Sequence, residues 1–257
     1  MTESASTGDV ARPRVLVVQH EPDTGPGWFG DWLAAAGLAL DVVHPYADDK
    51  LPLLPAYDGL LVLGGAMAPA DDVDCPWLPE TRARLAEAVL AGVPTFGICL
   101  GAELLALGCG GEVRRGLAGP ELGVLGVDLA PAAADDPVFG ALPGSSRVVQ
   151  WHWEEIATLP AGSVPLASSP AYPHQAFRVG EAAWGVQGHP EVTGDIAAAW
   201  AREDSPLLLA EGRAPNDLVA EVRAAESELA GTWRPLAEAF AGVVRDFAAT
   251  GSRPAAR

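Results

Sequence analysis

Between Val15 and Leu107 short aliphatic runs alternate with amphipathic segments, punctuated by glycine, and this alternation constrains the fold more than any other feature. Val15 to Gln19, Leu40 to Val43, Gly59 to Leu63 and Thr95 to Ile98 are brief, apolar and rich in aliphatic residues, the pattern of buried strands. Trp28 to Ala36, closed by Gly37, has helical spacing. So does Leu78 to Leu90, which carries Glu80, Arg82, Arg84 and Glu87 and ends at Gly92. Thr95 to Ile98 runs directly into a helical Leu100 to Leu107. Strands and helices alternating at this pitch imply parallel crossovers and a sheet covered on both faces.

Beyond Gly108 the pattern changes to short strands with turn signals, at Gly123 to Leu129, Arg147 to Trp153, Gln175 to Val179 and Ala182 to Gln187. Mixed or antiparallel pairing is expected there. Asp195 to Ala249 reads as mostly helical, with breaks near Pro206 and Pro215. The organisation expected is one domain over 14–249 with a helical extension from about residue 195. A flexible arm at 1–13 and a flexible tail at 250–257, small and polar, would flank it.

Composition narrows the partners. The chain of 257 residues has 34 acidic and 16 basic side chains, a formal charge of −18, and Lys50 is its only lysine. Such a field repels phosphate backbones and anionic lipid, so neither nucleic acid nor a membrane is expected as a partner. No apolar run approaches the roughly 18 residues of a membrane span, and Met1 to Arg14 lacks the apolar core of a secretion signal. Cys75, Cys99 and Cys109 are odd in number and lack zinc-like spacing, which suits a reducing, cytoplasmic setting with at most one reactive thiol. No metal or cofactor is expected.

Open α/β sheets bind ligands beyond the carboxyl ends of their strands, which directs attention to Gly64-Gly65 and to Ile98-Cys99. In Gly97-Ile98-Cys99-Leu100-Gly101 a cysteine stands between a predicted strand and a predicted helix, the arrangement of a nucleophile elbow with sulfur for oxygen. Glycines on either side remove the Cβ atoms that so sharp a turn would crowd. The helix N-terminus is expected to favour thiolate, and a like charge at Glu103, four residues on and on the same helix face, to oppose it by raising the Cys99 pKa. A cysteine nucleophile needs a base and a group to orient it. Among five histidines, His189 stands out in Gly188-His189-Pro190-Glu191, where proline holds an imidazole and a carboxylate in fixed relation. Here histidine precedes acid, the reverse of the α/β-hydrolase order.

Taken together, the elbow at Cys99, the later His189-Pro190-Glu191 and the Gly64-Gly65 strand end resemble the class I, or triad, glutamine amidotransferases. The likeness is to the stand-alone members similar to the glutaminase part of GMP synthase, and it covers approximately Arg14 to Asp195. It implies a flavodoxin-like α/β fold: a single open sheet, mostly parallel, with helices on both faces and added antiparallel strands. It implies Cys99 as nucleophile, His189 as base and Glu191 as orienting acid. The backbone N–H groups of Gly65 and Leu100 would form an oxyanion hole, and His152 and Gln175 would line the substrate pocket. The family usually has glutamine four residues after the nucleophile, and here that residue is Glu103, a departure that bears on the substrate.

The chain has no P-loop sequence, so any transfer of ammonia would need a synthetase acting in trans. Three readings stay open: a glutaminase releasing ammonia from glutamine, an independent γ-glutamyl peptide or amine hydrolase, and a non-catalytic regulatory member of the fold.

Overall fold

The computed structural model describes residues 12–250. Its first half contains β1 (Arg14–Val18), α1 (Gly27–Ala35), β2 (Ala39–Val43), β3 (Gly59–Val62), α2 (Leu78–Ala91), β4 (Thr95–Ile98) and α3 (Leu100–Gly108). Each matches an expected run to within a residue or two. Next come β5 (Glu112–Arg115), β6 (Glu121–Leu129), β7 (Ser145–His152), β8 (Glu154–Thr158) and β9 (Val164–Ser168). The sheet strands end with β10 (Ala176–Val179) and β11 (Ala183–Val186), and the helices α4 (Gly194–Glu203), α5 (Ser205–Ala210) and α6 (Pro215–Thr250) follow. Pro206 lies in the first turn of α5 and Pro215 opens α6. Each expected break is therefore a fresh helix start, where the missing N–H of proline costs nothing.

Nine strands form one sheet in the order β2-β1-β3-β4-β11-β10-β9-β6-β7. From β2 to β11 neighbours are parallel, and from β11 to β7 they are antiparallel. Side chains alternate across β1, and this builds a core on each face. Val15 and Val17 pack with Phe29 and Leu33 of α1 and with Phe240 and Val244 of α6. Leu16 and Val18 pack with Leu78 and Leu85 of α2 and Leu104 and Leu105 of α3. A further cluster joins Val149 and Trp151 of β7 to Trp200 of α4 and Leu218 and Val222 of α6. Helices thus cover both faces of an α/β sheet, as the alternation requires.

Three strands, β5, β8 and β9, were not expected. β5 reads Glu-Val-Arg-Arg, is largely exposed, and pairs only with β8 in a separate two-stranded sheet, so no apolar period marks it. β9 contains Pro165 and meets β10 across an irregular register at Ala176/Phe177, the kind of place where a strand tolerates proline. Thr250, assigned to the expected tail, is the last residue of α6. The rest of that tail, and the arm apart from residues 12 and 13, lie outside the described residues. Among the described residues no helix is long and apolar enough to cross a membrane.

Candidate active site

β4 and β11 are parallel neighbours, and the site forms at their carboxyl ends. Cys99, the first residue after β4, donates its N–H to Val186 O at the end of β11, 2.8 Å away. Three residues beyond Val186, the His189 N–H reaches across to Val149 O of β7 at 2.7 Å. Two adjacent strands therefore deliver the thiol and the imidazole to one edge of the sheet. A Cβ placed on Gly64, at the end of β3, would lie 3.1 Å from His189 Cε1 and 3.7 Å from Cys99 Cβ. A side chain on that strand end would crowd the His189 ring, which passes close to it.

Cys99 has φ 50° and ψ −110° and, with Asp48, is one of two non-glycine residues at positive φ among those described. Such a conformation costs on the order of 1–3 kcal/mol and persists only where the surroundings impose it. The flanking glycines show what imposes it. A Cβ on Gly101 would enter the carbonyl of Val62 in β3, and one on Gly97 would enter the backbone of Gly101. The first turn of α3 is thus pressed directly onto the strand ends, and the chain has to turn at Cys99.

Electrostatics depart from the expected thiolate. Burial, then the Glu103 and Glu191 carboxylates, push the Cys99 thiol well above its ordinary range, while the Leu100 N–H pulls the other way. Desolvation and like charge outweigh the helix N-terminus. The sulfur therefore rests as a thiol.

The His189 imidazole has a defined tautomer. His189 Nδ1 lies 2.7 Å from Glu191 Oε1, so the neutral ring carries its proton there and leaves Nε2 to accept. Nε2 is buried and has no hydrogen-bond partner. Trp200 presses edge-on against the ring with centroids 4.8 Å apart. The Glu191 carbonyl accepts from Trp28 N at 3.0 Å, and a Cβ on Gly27 would strike that carbonyl, so the start of α1 clamps the turn.

A cleft of about 410 Å³ opens over these groups and is lined by Cys99, His189, Glu103, Gly65, His152 and Trp200 among others. The Gly65 N–H donates to no group among the described residues, and Leu100 is the first residue of α3. His152 faces the cleft with both ring nitrogens engaged, Nδ1 at 2.7 Å from Glu154 O and Nε2 at 3.1 Å from Glu121 Oε2.

Gln175, expected in the pocket, is not among the residues lining this cleft. It is buried behind His152, donating to Glu121 Oε2 at 2.6 Å and accepting from Gln150 at 2.6 Å. Its amide is consumed by that network, which makes it a support for His152.

Glu103 is buried one turn below Cys99, and burial lifts its carboxyl from 4.5 to about 7, against the pull of its hydrogen bond from Gln187. Neither nearby arginine neutralises it, for Arg114 pairs with Glu155 and Arg115 with Glu154. Gln187 Nε2 donates to Glu103 Oε1 at 2.9 Å and stands 3.9 Å from Cys99 Sγ, a bridge that the sequence did not reveal although Gln187 lies two residues before His189. Trp200 gave no sequence signal at all. Cys75 and Cys109 do not line the cleft. Among the described residues no cluster of side chains suits a metal ion.

The fold and the site define an α/β protein that holds a thiol, an imidazole and a carboxylate at the carboxyl edge of a parallel sheet. The family model for glutamine amidotransferase class-I matches residues 31–199, and the chain belongs to that family. It is 36% identical over 152 residues to the GMP synthase (glutamine-hydrolyzing) of Thermotoga maritima, covering 59% of this chain and 27% of that protein. It is 29% identical over 183 residues to a gamma-glutamyl-L-1-hydroxyisopropylamide hydrolase of a Pseudomonas species, covering 67% of this chain and 60% of that one. Among solved structures, a glutamine amidotransferase from Thermotoga maritima superposes with a TM-score of 0.81 at 27% identity, covering 90% of this chain and 99% of that one. The chain thus spans about a quarter of the length of the synthase and less than two thirds of the hydrolase.

Proposed function

We propose that the protein hydrolyses a γ-glutamyl amide bond through a γ-glutamyl thioester on Cys99. The observation that carries this reading is the strained elbow at Cys99 beside an imidazole whose Nδ1 is tied to Glu191 and whose buried Nε2 has no partner. A resting thiol requires a base within the cleft, and His189, which lines it beside Cys99, keeps Nε2 free to accept a proton. In the reaction His189 takes the Cys99 proton as sulfur attacks the γ-carbonyl carbon. The negative charge that develops on the carbonyl oxygen is met by the N–H groups of Gly65 and Leu100, each such donor being worth about 3–4 kcal/mol of barrier. The intermediate collapses with C–N cleavage, and His189 returns its proton to the departing amine or ammonia. Water, deprotonated by the same ring, then attacks the thioester, glutamate leaves and the thiol is reprotonated. Glu191 keeps the ring in the required tautomer and steadies the imidazolium.

The likeness to a hydrolase of a γ-glutamyl amide supports turnover by the chain alone. The likeness to GMP synthase supports a second reading, in which the released ammonia passes to a synthetase bound in trans. Glu103 favours the first, because a buried carboxyl replaces the family's usual amide beside the sulfur. Cys99→Ala should abolish hydrolysis with the fold retained, while Cys75→Ala and Cys109→Ala keep most of it. Full activity in Cys99→Ala would overturn the proposal.

A further inference from the structure

The rim of the cleft carries a concentration of negative charge that its surroundings leave uncompensated. Glu21 and Asp23 lie on the loop after β1, and Glu203 and Asp204 at the junction of α4 and α5, and all four line the cleft that holds Cys99 and His189. Some carboxylates elsewhere are paired with arginine, as in Arg82 with Asp72, Arg147 with Glu228 and Arg178 with Asp136. None of the four rim carboxylates has an ion-pair partner among the described residues. Two are fixed by neutral donors. The Ala66 N–H reaches Glu21 Oε2 at 3.0 Å and Trp151 Nε1 reaches Asp204 Oδ2 at 2.8 Å.

Like charges held together this way destabilise a fold unless something relieves them. Asp23 raises the Glu203 carboxyl above its ordinary value, and burial does the same for Asp204 and Glu21. The one arginine lining the cleft, Arg115, is already paired with Glu154 at 3.3 Å. Independently of the rim, His189 lines the same cleft and its buried Nε2 has no hydrogen-bond partner, which marks the cleft as a place where a ligand completes the hydrogen bonding.

We infer that the rim receives a cation on the leaving group, so that the preferred substrate is a γ-glutamyl amide of a diamine or similar aminoalkyl amine. This rests on the γ-glutamyl hydrolysis proposed above. The glutamyl α-ammonium, common to all such compounds, gives no discrimination among them, whereas a second ammonium beyond the scissile bond gains the attraction of the four carboxylates. A leaving group ending in a carboxylate meets repulsion instead.

The test compares three amides of equal chain length: γ-glutamyl-1,4-diaminobutane, γ-glutamyl-n-butylamide and γ-glutamyl-4-aminobutyrate. Expected is a kcat/KM for the cationic amide at least tenfold above the neutral one, with the anionic amide slowest and the spread shrinking as salt is raised. In Asp23→Asn/Glu203→Gln the cationic-to-neutral ratio should fall to within about threefold, the neutral amide serving as the internal measure of folded enzyme. Equal rates on all three amides overturn this inference and leave γ-glutamyl hydrolysis standing. Failure of all three, with no thioester on Cys99, overturns the hydrolysis reading and this inference with it.

Discussion

Replacing Glu103 by glutamine exchanges a buried ionisable group for a neutral one of the same shape, and the consequence for stability follows from the site. Gln187 Nε2 donates to Glu103 Oε1, and a glutamine carbonyl at that position accepts the same bond. What is lost is the charge. Burial lifts the Glu103 carboxyl from 4.5 to about 7. A carboxyl whose folded pKa lies above its unfolded one binds more protons when folded, so its contribution to stability falls as pH rises from about 4.5 through about 7. Above that window the penalty is on the order of 3 kcal/mol, and at pH 5 it is below about 1 kcal/mol. Glu103→Gln should therefore be more stable than the parent by about 3 kcal/mol at pH 8.5 and nearly equal to it at pH 5. Urea unfolding of both proteins at the two pH values measures this. The same change removes a like charge beside the sulfur, so Cys99 should alkylate faster at pH 8.5 in the variant. With the family's usual amide restored, kcat/KM for L-glutamine should rise at least tenfold, about 1.4 kcal/mol of transition-state stabilisation. A stability difference that is the same at both pH values would refute the buried-charge argument, and a change of less than about twofold on glutamine would refute its extension to substrate choice.

His189→Ala should cost far more rate than Glu191→Gln, and the double variant should lose little beyond His189→Ala, because the carboxylate acts only through the ring it orients. Strictly additive losses in steady-state turnover would contradict the pairing. Gly101→Ala should destabilise the fold by more than about 4 kcal/mol, because its Cβ would enter the Val62 carbonyl and force α3 off the strand ends; a melting temperature within a few degrees of the parent would refute the close approach.

The parallel half of the sheet was legible because burial on both faces writes itself into local sequence as continuous apolar runs such as Leu60 to Val62. The elbow was legible because close packing of α3 on β3 and β4 admits no Cβ at Gly97 or Gly101, a steric demand that leaves a glycine on each side of Cys99. His189 and Glu191 were legible as a pair since one short turn holds both. β5 and β9 were missed because one is polar and exposed and the other carries proline. The placement of Gln175 erred because its neighbours, Gln150 and Glu121, come from strands that only the tertiary fold brings beside it. For the same reason Trp200 and the rim carboxylates could not be read: the loop after β1 and the end of α4 are far apart in the chain and meet only over the cleft. The expected thiolate gave way because the sequence shows a helix N-terminus but not the depth at which Cys99 and Glu103 are buried.

Intact-protein mass spectrometry after exposure to 6-diazo-5-oxo-L-norleucine, with peptide mapping of the product, tests the central claim most directly. The reagent presents a γ-glutamyl-like electrophile, and attack requires both an activated thiol and a glutamyl-binding cleft above it. One adduct per chain, located on Cys99 and absent from both Cys99→Ala and His189→Ala, is the predicted result. An adduct on Cys75 or Cys109, or labelling of Cys99 that is unaffected by loss of His189, would contradict a Cys99 nucleophile activated by the His189–Glu191 pair.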